Sequence, residues 1–299
     1  MKITSIEFNN KWSWCLIFDA ISKMSDNKIE RIFMNQNPKI KTAGADVVLA
    51  QNVTLLKKFK ERLKVICRLG GNMNFDGMKN ISGLLREMSK CYCIIATNKN
   101  LYDIAKPVNK KCYLIPNGLN IDEWCPPRGR PERPFTAGFC GNISNRQYRH
   151  YKGWEGAKKA CDNLGIELKT ALFKDQQIPH DRMKEDFYYQ IDVLIHPTLG
   201  EGCSNTLMEA AACGVPIITT REAGFHGEIL EHGKNVLFCK RKTSSIKMCL
   251  CALLRDMKLR KDLSKNIRKF AVKYHDINLI VKEYDKIFKE CHEANKKRG

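Results

Sequence analysis

No run of 18 consecutive apolar residues occurs in the 299-residue chain, which argues against a membrane-spanning helix. D-x-D triplets are absent, as are the G-x-x-x-x-G-K-[ST] loop and the G-x-G-x-x-G fingerprint. The commonest devices for a metal-bridged diphosphate, a P-loop triphosphate or a dinucleotide are therefore missing. The first residues, MKITSIEFNNKWSWCLIF, place Glu7, two asparagines and Lys11 ahead of a short apolar run and offer no small-residue cleavage site. They do not read as a signal peptide. Neither an internal repeat nor a low-complexity segment is found.

What is abundant is positive charge and cysteine. Net charge is +20. Residues 1–133 hold 23 Lys and Arg against 12 Asp and Glu, and residues 134–274 hold 23 against 15. The excess thus spreads over both main segments. Such a field favours anionic partners: nucleic acid, an acidic membrane surface or a phosphorylated small molecule. Solubility alone accounts for it equally well. The 14 cysteines do not suggest a disulfide scaffold, because many (Cys15, Cys67, Cys93, Cys161, Cys213) sit inside apolar runs, where cysteine acts as a small hydrophobe. The expected compartment is reducing and cytoplasmic, with peripheral contact at a membrane surface allowed. Cys91-Tyr-Cys93 and Cys249-Leu-Cys251 have a single intervening residue, too few for a structural zinc site. No metal is expected.

Short apolar runs alternate with amphipathic stretches. Strands are expected at 3–8, 29–34, 46–51, 64–69, 92–97 and 112–115, with helices at 53–62 and 80–90. This alternation implies βαβ units and a parallel sheet. CPPRGRPERP (125–134), with four prolines in ten residues, cannot form a regular element and reads as a linker. The alternation then restarts: strands at 135–141, 167–172, 193–196 and 216–219, and helices near 153–164, 183–190 and 206–213, with a polar loop after the first strand. Three helices, 243–254, 259–274 and 278–292, close the chain. The expected organisation is an N-terminal domain (1–125), a linker (126–134), a C-terminal domain (135–274) and a last helix (275–299) that crosses back to the first domain.

The segment DVLIHPTLGEGCSNTLMEAAACGVPIITT (192–220) holds the most chemistry. A strand runs into a loop and then a helix, with Ser204, Asn205 and Thr206 as N-cap candidates and Gly214-Val215-Pro216 as a stop. Small residues at a helix N-terminus aim several N–H groups and the positive dipole end at one spot, which suits phosphate. Glu209 falls about one turn into the helix and Glu201 at the loop entrance. A carboxylate suits a pair of neighbouring sugar hydroxyls. Taken singly, either glutamate reads as a solvated charge.

Their spacing and context together resemble the E-x(7)-E motif of retaining nucleotide-sugar glycosyltransferases of the GT-B fold, group 1, the glycogen-synthase and sucrose-synthase-like superfamily. Three more blocks resemble that family in order: YLIPNGLNIDEWCPP (113–127), GFCGN…KGW (138–154) and EAGFHGEILEHGKNVLF (222–238). The match covers roughly residues 112–240. It implies two Rossmann-like α/β/α domains whose parallel sheets face a central cleft. The C-terminal domain would bind the donor, a UDP- or GDP-sugar, and the N-terminal domain the acceptor. No cofactor is implied. Glu209 would accept hydrogen bonds from the ribose. Glu201, with the backbone N–H groups of Gly202, Cys203, Ser204 and Asn205 and with Thr206 beside them, would hold the sugar and phosphates. Lys152 would neutralise the pyrophosphate, where charge develops as the nucleotide departs.

The chain departs from the family in three places. Asn142 stands where an arginine after glycine is usual, and a longer segment precedes Lys152; Arg146 or Arg149 would supply the missing charge, with Arg146 favoured. Residues 1–149 contain no histidine, whereas the family's first domain commonly carries one; RLGGNMNFD offers Arg68, Asn72 and Asp76 instead. No glycine-rich loop follows the first strand. Lys11, Trp12 and Trp14 stand there, either lining an acceptor site or packing a helix. His196 and His226 lie near the motif, His196 reading as a packed or second-shell residue. The resemblance implies retaining, metal-independent transfer to a hydroxyl of a glycan or lipid-linked glycan. A modified nucleic-acid base is an alternative acceptor, and a non-catalytic basic binding protein is an alternative of another class.

Overall fold

The computed structural model describes residues 1–7, 13–34, 44–58, 65–70, 81–129, 132–173, 178–226 and 229–297. Lys11, Trp12, Asn72 and Asp76, and the side chain of Trp14, lie outside the described residues. The chain forms two compact units, 1–119 with 276–299, and 120–275.

Unit 1 is built on β1 (Lys2–Glu7), α1 (Ser13–Met24), β2 (Lys28–Phe33), β3 (Val47–Ala50), β4 (Val65–Leu69), α2 (Ile81–Met88), β5 (Cys93–Ala96), α3 (Lys99–Ala105) and β6 (Cys112–Leu114). All six strands pair in parallel in the order β2-β1-β3-β4-β5-β6. Strands β3, β4 and β5 are buried at every residue, the pattern of a sheet covered on both faces. That is why their sequences are apolar at every position except Arg68 rather than alternating. The expected helix at 53–62 is corrected over its described part. Val53–Lys58 is a 3-10 turn, held by Asn52 Oδ1, which accepts from both the Thr54 N–H and its hydroxyl at 2.9 Å. Such local side-chain bonding competes with an α-helical start.

Unit 2 holds β7 (Thr136–Gly141), α4 (Arg146–Lys152), α5 (Trp154–Asp162), β8 (Glu167–Leu172), α6 (Met183–Asp186), β9 (Val193–His196), α7 (Asn205–Ala212), β10 (Ile217–Thr219), β11 (Leu237–Phe238), α8 (Thr243–Arg255) and α9 (Met257–Tyr274). Its five strands are parallel in the order β11-β10-β9-β7-β8. Asp192 starts β9 and ties it to β7, accepting from Thr136 N at 2.9 Å and from Arg133 at 2.7 Å. Two expectations fail here. The loop after β7 contains α4, capped by Asn145 Oδ1 accepting from Tyr148 N at 2.8 Å. The helix expected at 183–190 breaks at Phe187, because Phe187 and Tyr188 are both fully buried and Tyr188–Gln190 turns into a 3-10 segment.

The last helix, α10 (Ile277–Lys296), belongs to unit 1. Its Asp285 carboxylate accepts from Ser25 and Asn27 beyond α1, and Tyr284 meets Phe18 edge-on at 6.2 Å. None of the 14 cysteines is joined in a disulfide. Burial pushes Cys112 and Cys249 up to about 11 and Cys161, Cys239 and Cys291 to about 12. They serve as core residues.

Candidate active site

In unit 2, β8 lies on one side of β7 and β9 on the other, so the winding reverses between β7 and β9. Open parallel sheets take ligands at the carboxyl ends of the strands at such a point. There β7 ends at Gly141 and β9 at His196, and the chain leaving β9 runs through Pro197–Ser204 into α7. Ser204 occupies the N-cap with extended backbone, φ −68° and ψ 115°, but its side chain makes no cap bond to the helix. Its hydroxyl lies 3.4 Å from His196 Nε2 instead.

Glu201 is the centre of this loop. Lys152 Nζ donates to Glu201 Oε1 in a close ion pair. His196 Nε2 lies 3.5 Å from the same oxygen, and so does the Thr198 hydroxyl oxygen. Burial alone would raise the Glu201 carboxyl, yet Lys152 and His196 outweigh it and hold the group down at about 2. His196 is pushed below its ordinary value by burial, with Lys152 acting in the same sense and Glu201 against. At neutral pH, then, Glu201 is a permanent acceptor and His196 a neutral ring. A carboxyl ionised down to pH 2 cannot act as a general acid near neutrality.

The placement of Lys152 depends on an interlock between α4 and the loop. Leu199 N donates to Tyr151 O at 3.0 Å and the Thr198 hydroxyl to the same oxygen at 3.3 Å. The Tyr151 hydroxyl donates to Gly200 O. Arg241 Nε donates to Pro197 O at 3.0 Å, and its Nη2 to His150 O. Gly153 follows directly, with φ +70° and an ideal Cβ position 2.5 Å from Pro197 O; only glycine allows this approach. Arg241 thus fastens the end of α4 to the loop that carries Glu201. Replacing it with alanine removes both bonds and is expected to lower the melting temperature, each lost bond costing about 1 kcal/mol. Thermal melts of Arg241→Ala beside Arg241→Lys check this, and equal melting temperatures for all three proteins would contradict it.

Glu209 lies within α7 and is 7% exposed, so its charge needs partners. The Tyr188 hydroxyl donates to its Oε2 at 2.8 Å, and His180 Nε2 lies 3.0 Å from its Oε1. Trp124 packs against both rings, at 5.9 Å from Tyr188 and 5.3 Å from His180. A carboxylate has about four acceptor sites, which leaves capacity for ligand hydroxyls. The hydrogen bond to Glu209 raises His180 above its ordinary value, 6.5, against the opposing effect of burial. A raised histidine stabilises the fold fully below its unfolded pKa and loses that contribution as pH rises through the folded one. The melting temperature advantage of the unmodified protein over His180→Gln is therefore expected to shrink between pH 6 and 8. NMR titration should place His180 above 6.5, and Glu209→Gln should bring it back down.

The other expected site residues are distributed as follows. Gly202, Cys203 and Ser204 are buried at the start of α7, and Asn205 is its first residue. Thr206 packs its hydroxyl 3.7 Å from Cys140 Sγ, and its carbonyl oxygen lies 3.3 Å from the Tyr188 hydroxyl oxygen. Asn142 is used locally, its Oδ1 accepting from Ser144 N at 3.0 Å. Arg146 is not at the Lys152–Glu201 pair. It lines a hollow of about 480 Å³ with Arg149, His150, Glu155 and Arg241, and Arg149 Nε donates to Ile143 O at 3.1 Å. Sequence reasoning missed Tyr188, His180, Trp124 and Arg241. The tryptophan stands inside the NIDEW stretch, which was the one available signal.

Residues 155–256 match the family model described as glycosyl transferases, group 1. An uncharacterized glycosyltransferase of Methanocaldococcus jannaschii, MJ1069, is 28% identical, with 94% of this chain and 64% of the relative covered. A second from the same organism, MJ1178, is 33% identical over 29% of this chain and 25% of its own length. The chain thus spans less than two thirds of the length of either relative. Among solved structures, Anabaena HepE in complex with UDP and glucose superposes with a TM-score of 0.74 at 13% identity, covering 97% of this chain and 99% of that one. Sucrose-phosphate synthase from Thermosynechococcus elongatus gives 0.76 at 12% identity, covering 98% and 100%. Residues 155–256 are thus similar to group 1 glycosyl transferases, and the chain has the GT-B fold.

Proposed function

We propose that this protein moves a sugar from a nucleotide-sugar to a hydroxyl of a glycan or lipid-linked glycan, with retention at the anomeric carbon and without a metal ion. The observation that carries the reading is the Lys152–Glu201 pair at the start of α7, with the buried Glu209 farther along the same helix. HepE has been solved with UDP and glucose, which favours a UDP-sugar as donor here. Glu209 accepts from the ribose hydroxyls while Tyr188 and His180 hold it in place. The backbone N–H groups opening α7 and the Lys152 ammonium face the diphosphate. Glu201, always ionised, accepts from the sugar hydroxyls, and its proximity to Lys152 keeps it from repelling the phosphates.

In the reaction the bond from the anomeric carbon to the phosphate oxygen breaks, and the diphosphate leaves with the electron pair. The acceptor oxygen bonds to that carbon on the same face. The hydroxyl proton passes to the departing phosphate oxygen, so no protein base is required. Lys152 and the helix N-terminus stabilise the charge that develops on the leaving group, where one such donor is worth about 10²–10³ in rate. The protein works in the cytoplasm, and its positive field draws it to anionic acceptors or membrane surfaces.

Incubation with UDP-, GDP- and ADP-sugars, with nucleotide release and product stereochemistry followed by NMR, tests the reading. Release of UDP and an α product from an α donor is expected. A β product would overturn retention, and no release from any donor would overturn the enzymatic reading.

A further inference from the structure

Arg68 is the one lysine or arginine among the described residues that is buried outright, at 4% exposure. It stands near the carboxyl end of β4 in unit 1, paired with Ile95 of β5. Its Nε donates to the Tyr284 hydroxyl of α10 at 3.1 Å, and its Nη2 donates to Asn117 Oδ1. Both partners are neutral. Among the described residues no carboxylate meets it. The contrast with Arg31 in the same unit is direct: that guanidinium grips both oxygens of Glu7 at 2.6 and 2.8 Å and reaches Asp19 at 3.0 Å. A buried cation without a counterion is costly, and nothing in the roles given to unit 2 uses this one.

The surroundings are built to present the guanidinium rather than to neutralise it. Two separate segments meet it on β4: the stretch through Asn117-Gly118 and α10. Gly118 lets α10 pack close, since a Cβ there would sit 2.8 Å from Ile280. Gly70 lies beside the fork, where a Cβ would come within 2.6 Å of Nη1. Two nitrogens are thus fixed by neutral bonds, and the third lies against Gly70, whose missing side chain leaves it room. The fork geometry of arginine suits a carboxylate or phosphate, and the carboxyl ends of parallel strands are where such folds take ligands.

We propose that Arg68 is an oxyanion-recognition residue of unit 1, receiving a phosphate or carboxylate group carried by the acceptor. The acceptor role rests on the transferase reading; the anion site does not. Arg68 then discriminates charged acceptors from neutral ones, because a neutral acceptor leaves the buried charge uncompensated. The fixed Nε and Nη2 bonds orient the fork before the ligand arrives, so little side-chain order is lost on binding.

The test uses the full chain with arginine Nε labelled by 15N, saturated with UDP so that the phosphate site of unit 2 is filled. The Arg68 Nε–H signal, assigned as the one lost in Arg68→Lys, is followed while inorganic phosphate, glucuronate or glucose is added at constant ionic strength. A saturable shift with phosphate or glucuronate, and none with glucose, is expected; which anion saturates first identifies the source. In thermal melts with UDP present, the same anion should raise the melting temperature of the unmodified protein. Arg68→Lys should bind about tenfold more weakly, and Arg68→Met should lose the response. A signal that stays still with both anions overturns the proposal, whether or not the variants fold. If the signal moves but no donor is turned over, the anion site stands and the transferase reading falls.

Discussion

Lys152→Ala is expected to lower nucleotide-sugar turnover by about 10²–10³-fold, the cost of removing one preorganised group from a developing charge. The loss should fall on kcat as well as KM, since the charge on the leaving diphosphate grows in the transition state. The same substitution removes the lysine cation from the half-buried Glu201, while His196 and Thr198 stay beside it. Its carboxyl, now held at about 2 chiefly by Lys152 against the effect of burial, should rise toward or above its ordinary value of 4.5. Linkage gives the sign: a depressed carboxyl contributes stability above its unfolded pKa and loses it as pH falls through the folded value. The unmodified protein should keep this contribution at pH 5 and shed it toward pH 2, while Lys152→Ala should lack it throughout. Carboxyl 13C titration with melts across that range measures both effects. Unaltered turnover in Lys152→Ala would remove the lysine from the proposed chemistry.

The second large effect concerns Gly224, in the loop after β10. Its φ is +68°, and an ideal Cβ would sit 2.1 Å from Glu201 O and 2.7 Å from Gly202 O. Backbone atoms cannot swing away as a side-chain tip can. Gly224→Ala should therefore displace the segment that opens α7, lowering both melting temperature and UDP affinity. Gly233 supplies the control, with φ +79° and nothing within 4 Å of its Cβ position. Alanine there bears only the left-handed backbone penalty, about 1 kcal/mol. The excess loss in Gly224→Ala over Gly233→Ala isolates the contact with Glu201. Equal losses in melting temperature, with UDP affinity intact, would contradict it.

How far the sequence disclosed these features follows from their physical range. The strands β3, β4, β5 and β9 were legible because a sheet covered on both faces demands unbroken apolar runs. Glu201 and Glu209 were legible because one strand–loop–helix carries both, so their separation in sequence fixes their separation along the helix. Lys152 was reached through a resemblance, since 49 residues divide it from Glu201. The partners of Glu209 had no such route. His180 and Tyr188 come from 3-10 segments on either side of α6, and Trp124 comes from before β7, so only tertiary packing unites them. Arg241 was invisible for a similar reason: its two acceptors are backbone carbonyls, which leave no trace in residue identity. Helix α4 was hidden because none of its seven residues is buried, so no hydrophobic period marks it. Its cap, Asn145, was the one signal.

The central claim is that unit 2 binds a nucleoside diphosphate between the start of α7 and Glu209. The most direct measurement is an amide NMR titration of the labelled protein with UDP. The account predicts saturable shifts concentrated at Gly202, Cys203, Ser204, Asn205 and Thr206, with His180 titrating differently once UDP is bound. Shifts confined to other elements, or none at saturating UDP, would contradict it.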